Sequence, residues 1–270
     1  MTTPGLTTGR VDLDGVTLRY RQFGDPTAPP VVLLHGGGST AATWDRLAVA
    51  LATAGRRTLA VDLRGHGASS RTPTYPLESF RDDVMAFLDA LGLDRVALVG
   101  HSLGAYAASL VAQRQPERIT HLVLEEPPVP AREATDPHGL STARFMLPAL
   151  SLLAVRRGFD RTAVTSAVRQ LRVPDPRWWQ RLSLITAPTL LISGGPRSHT
   201  SRSGWPRRPG ASRTLDWSPS PSDTASTATP PTASRAPSCP SSRQSHQGPD
   251  PAEPPEPRTE EAPAALRFSR

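Results

Sequence analysis

The feature that most constrains this chain is a pentapeptide, Gly100-His101-Ser102-Leu103-Gly104. It stands between an apolar run, Val96 to Val99, and a stretch that continues with Tyr106, Leu110 and Val111 at helical spacing. The pentapeptide matches G-x-S-x-G in a strand-to-helix context. A serine at so sharp a turn is held in a strained backbone conformation, with small residues two positions to either side so that neighbouring chain does not clash. Its hydroxyl projects above the sheet. The helix that begins there aims its first N–H groups at the same point, which favours a developing oxyanion. Leu103 N–H is the natural first donor.

A second glycine-rich element, His35-Gly36-Gly37-Gly38, follows the apolar strand Val31 to Leu34. Glycines let the backbone approach a substrate closely, so the second oxyanion donor is expected to be Gly37 N–H, with Gly38 next. The segment Asp62-Leu63-Arg64-Gly65-His66-Gly67 closes the following strand and reads as structural, a sharp turn with its own polar pairing.

Around these motifs, short apolar runs alternate with longer amphipathic stretches, the pattern of an α/β layered domain. A hairpin is expected from Val11 to Gln22, turned at Asp14-Gly15. Further strands are expected at Thr58 to Asp62, His121 to Leu124 and Thr189 to Ile192, with helices at Trp44 to Ala54, Leu77 to Leu91 and Ser102 to Gln115. Between the last two strands, Phe145, Leu147, Leu150 and Leu153, then Val164 and Val168, suggest two or three helices outside the sheet. The tryptophans Trp178 and Trp179 are expected to serve packing there rather than contact with a substrate.

These motifs, HGGG after the third strand, DLRGHG after the fourth and GHSLG after the fifth, in this order and spacing, resemble the α/β-hydrolase superfamily over roughly residues 9 to 195. The resemblance implies an eight-stranded, mostly parallel sheet with flanking helices and a helical cap after the sixth strand. It also implies a triad of serine, acid and histidine in that chain order. On that reading residues 1–130 form the first part of the core, 131–184 the cap and 185–200 the seventh core strand. Ser102 is the nucleophile, and Gly37 and Leu103 form the oxyanion hole. A serine at position 102 argues against the dehalogenase and epoxide-hydrolase branches, which place an aspartate there. The implied activity is hydrolysis of a small acyl, ester-like substrate, with no cofactor and no metal.

The other two triad members depart from the pattern. After the seventh strand, Ser193-Gly194-Gly195-Pro196-Arg197-Ser198-His199 offers no acid. The alternative family position ends the sixth strand, where Glu125 and Glu126 precede two prolines; Glu126 is preferred. The histidine is expected in a Gly-His pair after an eighth strand, roughly 25 to 35 residues beyond Gly195. Neither such a strand nor such a pair is read there, since His199 comes too early and His246 has no strand before it. The triad base is unassigned.

Composition changes near Pro196. Residues 201–270 hold 14 of the 30 prolines and 13 serines, but only Leu215 and Leu266 as leucines and no isoleucine or valine. Such a segment cannot bury enough apolar area to offset its chain entropy, so it is expected to be disordered. The genetic code offers a cause. If each codon is rebuilt from the third base of one codon and the first two of the next, Trp205-Pro206 must give Ala and Asp216-Trp217 must give Leu. Trp217-Ser218 must then give Val or Glu, and Asp223-Thr224 His or Tyr. With GC-rich codons, residues 213–231 read as an apolar strand followed by Gly-His. A one-base insertion or deletion near residues 197–203 is therefore expected, and the product as printed is expected to be impaired. The alternative is a non-catalytic α/β-hydrolase-like binding protein or a pseudogene product.

Charge and cysteine narrow the remaining classes. All 31 basic residues are arginine, set against 24 acidic ones for a formal +7. That bias fits a GC-rich gene, and the +2 of residues 201–270 is too little to argue for nucleic acid. The lone Cys239 makes no internal disulfide and has no CxxC partner for zinc. No apolar run reaches the ~18 residues of a membrane helix and the start is polar, so no membrane and a cytoplasmic location are expected. The remaining partner is a small-molecule substrate.

Overall fold

The Asp14-Gly15 turn, with Gly15 at φ 71°, joins β1 (Thr7–Leu13) to β2 (Val16–Phe23) as an antiparallel hairpin in which Leu13 faces Val16. In this computed structural model the described residues are 5–133, 158–193 and the backbone of 215–216, all within the unit formed by residues 1–223. β2 pairs antiparallel with β4 (Arg57–Asp62). From there the sheet is parallel, through β3 (Pro30–Leu34), β5 (Val96–His101), β6 (Ile119–Glu125), β7 (Thr189–Ser193) and β8 (Leu215–Asp216). The order across the sheet is β1-β2-β4-β3-β5-β6-β7-β8. β3 is central, and Val32, Leu33 and Leu34 are fully buried, as expected for a parallel strand covered on both faces.

Helices cover the two faces. On one, α1 (Asp45–Thr53) packs Ala48 and Leu51 with Trp44 against Phe23, Leu33 and Ala60. On the other, α2 (Leu77–Ala90) and α3 (Leu103–Arg114) enclose Leu18, Leu34, Leu59, Phe87, Leu98 and Val111. α3 is buried almost all round, from Leu103 through Ser109 and again from Val111 to Gln113. Its alanines, Ala105, Ala107, Ala108 and Ala112, keep its girth small enough to lie tight on the sheet.

Between β6 and β7 the chain forms α4 (Arg161–Gln170), α5 (Pro176–Arg181) and a 3-10 turn, Leu182–Leu184. Both helices start on aspartate caps: Asp160 accepts from Thr162 N–H at 2.7 Å and Asp175 from Trp178 N–H at 3.0 Å. Tyr75 ties α4 down, because its hydroxyl donates to Asp160 Oδ2 at 2.8 Å and its carbonyl accepts from Gln170 Nε2 at 2.8 Å. Trp178 stacks on Tyr106 and donates its indole N–H to Ser109 Oγ at 3.0 Å, and Trp179 Nε1 donates to Pro130 O at 2.9 Å. Both tryptophans therefore pack, as their sequence context suggests. Val164 and Val168 fall on α4, while the helix suggested by Phe145 to Leu153 lies outside the described residues.

The sheet and its flanking helices follow the expected α/β-hydrolase plan, with element ends within two residues of expectation except that β1 starts four residues early, at Thr7. One expectation is corrected. The sequence offers no strand beyond the seventh, yet Leu215–Asp216 pairs parallel with β7, Ile192 against Leu215. Two residues suffice for this pairing because it needs only backbone groups, which any sequence supplies, and no apolar pattern announces it. Every residue of β7 is only half-buried, although the strand lies between two neighbours. The expected disorder of 201–270 otherwise lies outside the described residues. Among the described residues no helix is long and apolar enough to cross a membrane.

The core makes a stability prediction. Leu98→Ala, at a fully buried position on β5, is expected to cost about 2–5 kcal/mol in urea unfolding. Val173→Ala, at a position 61% exposed, is expected to stay within about 0.5 kcal/mol. Equal losses would show that this face of the sheet is not the packed one.

Candidate functional site

Ser102 lies at the junction of β5 and α3 with φ 48° and ψ −115°. Among the described residues only Ser102 and Glu126 are non-glycine residues with positive φ. Such a conformation costs of order 1–3 kcal/mol and persists only where the surroundings hold it. Here the surroundings are backbone. A Cβ on Gly100 would come within 2.6 Å of Ala105 Cα, and one on Gly104 within 2.6 Å of the His35 carbonyl oxygen, so neither position admits a side chain. The serine is pinned further by its own amide, which donates to Glu125 O at 2.9 Å, and by its carbonyl, which accepts from Tyr106 N–H at 3.0 Å. Among the described residues its hydroxyl has no hydrogen-bond partner.

The loop after β3 lies against this turn. A Cβ on Gly36 would stand 2.6 Å from His101 Nδ1 and 3.2 Å from Ser102 Cβ, and one on Gly37 would stand 3.9 Å from Leu103 Cδ2. Gly37 and Leu103 are thus neighbours, as the sequence reading requires of two donors to one oxygen. Leu103 opens α3, so its N–H has no intrahelical acceptor. Gly38, the second choice of donor, is engaged elsewhere, because its N–H donates to His66 Nε2 at 3.1 Å. Among the described residues Gly37 N–H has no such partner. Val164 of α4 covers Gly37 from above, its Cγ1 3.6 Å from where a Cβ would be.

Two buried histidines hold that loop to the next one. His35 Nε2 accepts from Leu63 N–H at 3.1 Å while its Nδ1 donates to Gly36 O at 2.8 Å. His66 mirrors it: Nε2 accepts from Gly38 N–H, and Nδ1 donates to Arg64 O at 3.0 Å. The rings meet edge to face, 5.0 Å apart. Each ring must be neutral to accept at Nε2. Burial and then the proximity of His66 push the His35 pKa down to about 3, and burial likewise lowers that of His66. Asp62 completes the turn by accepting from Ala41 N–H at 2.7 Å and Ala68 N–H at 3.2 Å, and Arg64 forks onto Asp83. Sequence alone marks this segment as structural but does not reveal that His66 engages the N–H of Gly38, the second candidate donor. Phe159, which stacks on His66 at 5.9 Å, is also invisible in the sequence.

The two acidic candidates sit beside the serine. β6 runs next to β5 with Glu125 opposite His101, and Glu126 follows with φ 46°, its N–H donating to Ile192 O at 2.8 Å. Both side chains are half-buried. His35 and His66 are committed to backbone, and no described histidine bonds to Ser102 Oγ. His138, His199, His246 and Cys239 lie outside the described residues. Among the described residues no group of three or more His, Cys, Asp or Glu side chains is arranged to hold a metal ion.

A strained serine between a parallel strand and a buried helix, with a glycine loop laid against it, defines the class of proteins built around a nucleophile elbow. The chain belongs to the α/β hydrolase fold family, which it matches over residues 29–195. It is 35% identical over 136 residues to a non-heme chloroperoxidase of Streptomyces lividans, covering 49% of each chain. Over 138 residues it is 34% identical to epoxide hydrolase A of Mycobacterium tuberculosis, covering 50% of this chain and 43% of that one. The chain thus spans under half the length of these relatives. A crystal structure of a hydrolase from Pseudomonas aeruginosa superposes with a TM-score of 0.58 at 28% identity, covering 74% of this chain and 84% of that one.

The histidine pair sets a pH dependence. Both pKa values are lowered on folding, so below about pH 6.5 the unfolded chain binds more protons than the folded one. Stability is therefore expected to fall as pH drops below about 6.5, by up to about 1.4 kcal/mol per pH unit for each histidine, with the contribution of His35 continuing down to about pH 3. Urea midpoints at pH 7 and pH 5 measure this. In a His66→Gln variant, whose amide oxygen can still accept from Gly38, the slope is expected to be smaller; an unchanged slope would mean that other groups set it.

Proposed function

We propose that this is a serine hydrolase acting on a small acyl, ester-like substrate, impaired in the chain as printed. The observation that carries the reading is the backbone of Ser102, strained at an elbow whose neighbours on both sides, Gly37 and Leu103, present N–H groups free of internal partners. Ser102 Oγ attacks the acyl carbon and its proton passes to a base. Gly37 and Leu103 N–H hold the negative oxygen, and the leaving group departs with that proton. Water then attacks the acyl-serine ester, releases the acid and restores the hydroxyl. Glu126 orients the base, a role favoured over Glu125 by its positive φ, since strained residues cluster at functional sites. Residues 131–184 act as the cap, with Val164 over the oxyanion loop. The setting is cytoplasmic, the substrate of this site is a small molecule, and its turnover uses neither cofactor nor metal.

A base is the missing part. Several observations support a shift of reading frame as the reason: the family match ends at residue 195, composition changes at the same point, and β7 is left half-exposed. The two residues that pair with β7, Leu215–Asp216, fall where the shifted reading begins its strand. Sequencing the gene across codons 190–235 tests this. One base more or fewer gives a complete product with Gly-His after that strand, whereas the printed sequence leaves a decayed gene or a non-catalytic binding protein.

The chemistry has its own test. A fluorophosphonate probe is expected to label the frame-restored protein at Ser102 and to leave Ser102→Ala unlabelled. Ester turnover by the printed chain is expected to be lower by on the order of 10⁴-fold, the cost of losing a triad member. Labelling that survives Ser102→Ala would remove Ser102 as the nucleophile.

A further inference from the structure

Of the three glycines in the loop after β3, the outer two are held to that identity by the fold. A Cβ on Gly36 would press on His101 Nδ1 at 2.6 Å, and Gly38 stands at φ 78°. Gly37 is different. Its φ is not positive, and the atoms nearest to a Cβ there stand at ordinary contact distance: Val164 Cγ1 at 3.6 Å, Val164 Cγ2 at 3.7 Å and Leu103 Cδ2 at 3.9 Å. The room over this exposed residue is therefore limited by one side chain of α4 and one of α3, not by the loop itself.

Val164 closes most of that room. Its Cγ1 lies no more than about 5 Å from Gly37 Cα, one carbon–carbon bond beyond the contact. A free carbon seated between the two would need about 7 Å, twice an ordinary carbon–carbon contact. No acyl chain can run there. The wall is also stiff, since a β-branched side chain in a helix keeps one strongly preferred rotamer and Val164 is buried. The helix that carries it is fastened at both ends to residues 65–77. At its start, Asp160 N–H donates to Gly65 O at 2.6 Å and Asp160 Oδ2 accepts from the Tyr75 hydroxyl at 2.8 Å. At its end, Gln170 Nε2 donates to Tyr75 O at 2.8 Å and Gln170 Oε1 accepts from Leu77 N–H at 3.1 Å.

We propose that Val164 sets the length of the acyl group accepted at this site, so that acetyl is preferred to long straight chains. The inference rests on the serine hydrolase reading, because it takes the acyl oxygen to be held by Gly37 and Leu103 N–H. An acyl group held there meets the two Val164 methyls on the α4 side and Leu103 Cδ2 on the α3 side. Each carbon that does or does not fit an apolar wall changes selectivity by about 10- to 200-fold.

The full chain as printed, treated with p-nitrophenyl acetate or p-nitrophenyl hexanoate, tests the wall, with acyl-Ser102 followed by peptide mass spectrometry. Ser102 Oγ bonds to the acyl carbon, the bond to p-nitrophenolate breaks, that anion leaves with the electron pair, and the serine proton passes to buffer. So stable a leaving anion needs no acid, and without a base to activate water the acyl-serine persists. The parent chain is expected to gain acetyl at least about tenfold faster than hexanoyl. Val164→Ala is expected to lower that preference at least about tenfold, whereas Val164→Thr, which keeps the branched shape, retains it. Val168→Ala, one turn further along α4, is expected to leave the preference unchanged. Because the preference is a ratio within one chain, partial loss of folded protein does not move it. No preference in the parent, the same preference in Val164→Ala, or an equal change in Val168→Ala, each with acyl groups on Ser102, would overturn this inference alone. Absence of acyl-Ser102 from every chain would remove the hydrolase reading and the inference with it.

Discussion

Everything in this structure depends on how closely β5, α3 and β3 approach one another around two glycines. Gly100 lies against the backbone of Gly104 and Ala105, and Gly104 lies against the carbonyls of Leu34 and His35. At these two glycines backbone meets backbone with no side chain between. The chain turns from strand to helix within a single residue, and that residue, Ser102, takes the strain. The same approach brings the loop after β3 onto the serine, so the placing of the candidate nucleophile and of its candidate oxyanion donors is one packing event. A methyl group at either glycine would push against backbone, which cannot swing aside as a flexible side chain can.

The second layer of organisation is electrostatic and quieter. Two histidines, buried and neutral, act as bent connectors, each accepting one backbone N–H and donating to one carbonyl. They join the loops after β3 and β4 without bringing a charge into the core, where it would be costly. His66 also touches Phe159 from the segment before α4, and Asp160 N–H donates to Gly65 O at 2.6 Å. The helices between β6 and β7 are thereby fastened to the loop that holds Gly38. His66 thus touches both Gly38, in the loop beside Ser102, and Phe159, in the segment before α4.

The relatives illustrate how little the fold decides about chemistry. A chloroperoxidase and an epoxide hydrolase share a third or more of their residues with this chain over its matched part, and both names describe other reactions than ester cleavage. What distinguishes one member from another is the side chain at the elbow and the groups above it. In this chain the elbow residue is serine, and among the described residues Val164 lies against Gly37 beside it.

Much of the fold was legible because its signals are local. Apolar periodicity gave α2 and α3, the Asp14-Gly15 pair gave the hairpin, and the glycine spacing around Ser102 gave the elbow. The eighth strand was not legible, since a two-residue pairing carries no pattern. Nor was the task of His66, whose partner lies 28 residues away, or that of Trp178, which reaches Ser109 across 69. By itself the sequence determined which residue is strained, which elements surround it and where apolar composition ends, because each follows from neighbours a few positions apart. The tertiary structure alone decided that Gly38 N–H is occupied while Gly37 N–H has no partner among the described residues, and that Trp178 reaches Ser109. Those outcomes depend on distances between segments that share no local pattern, and only the closing of the core fixes such distances.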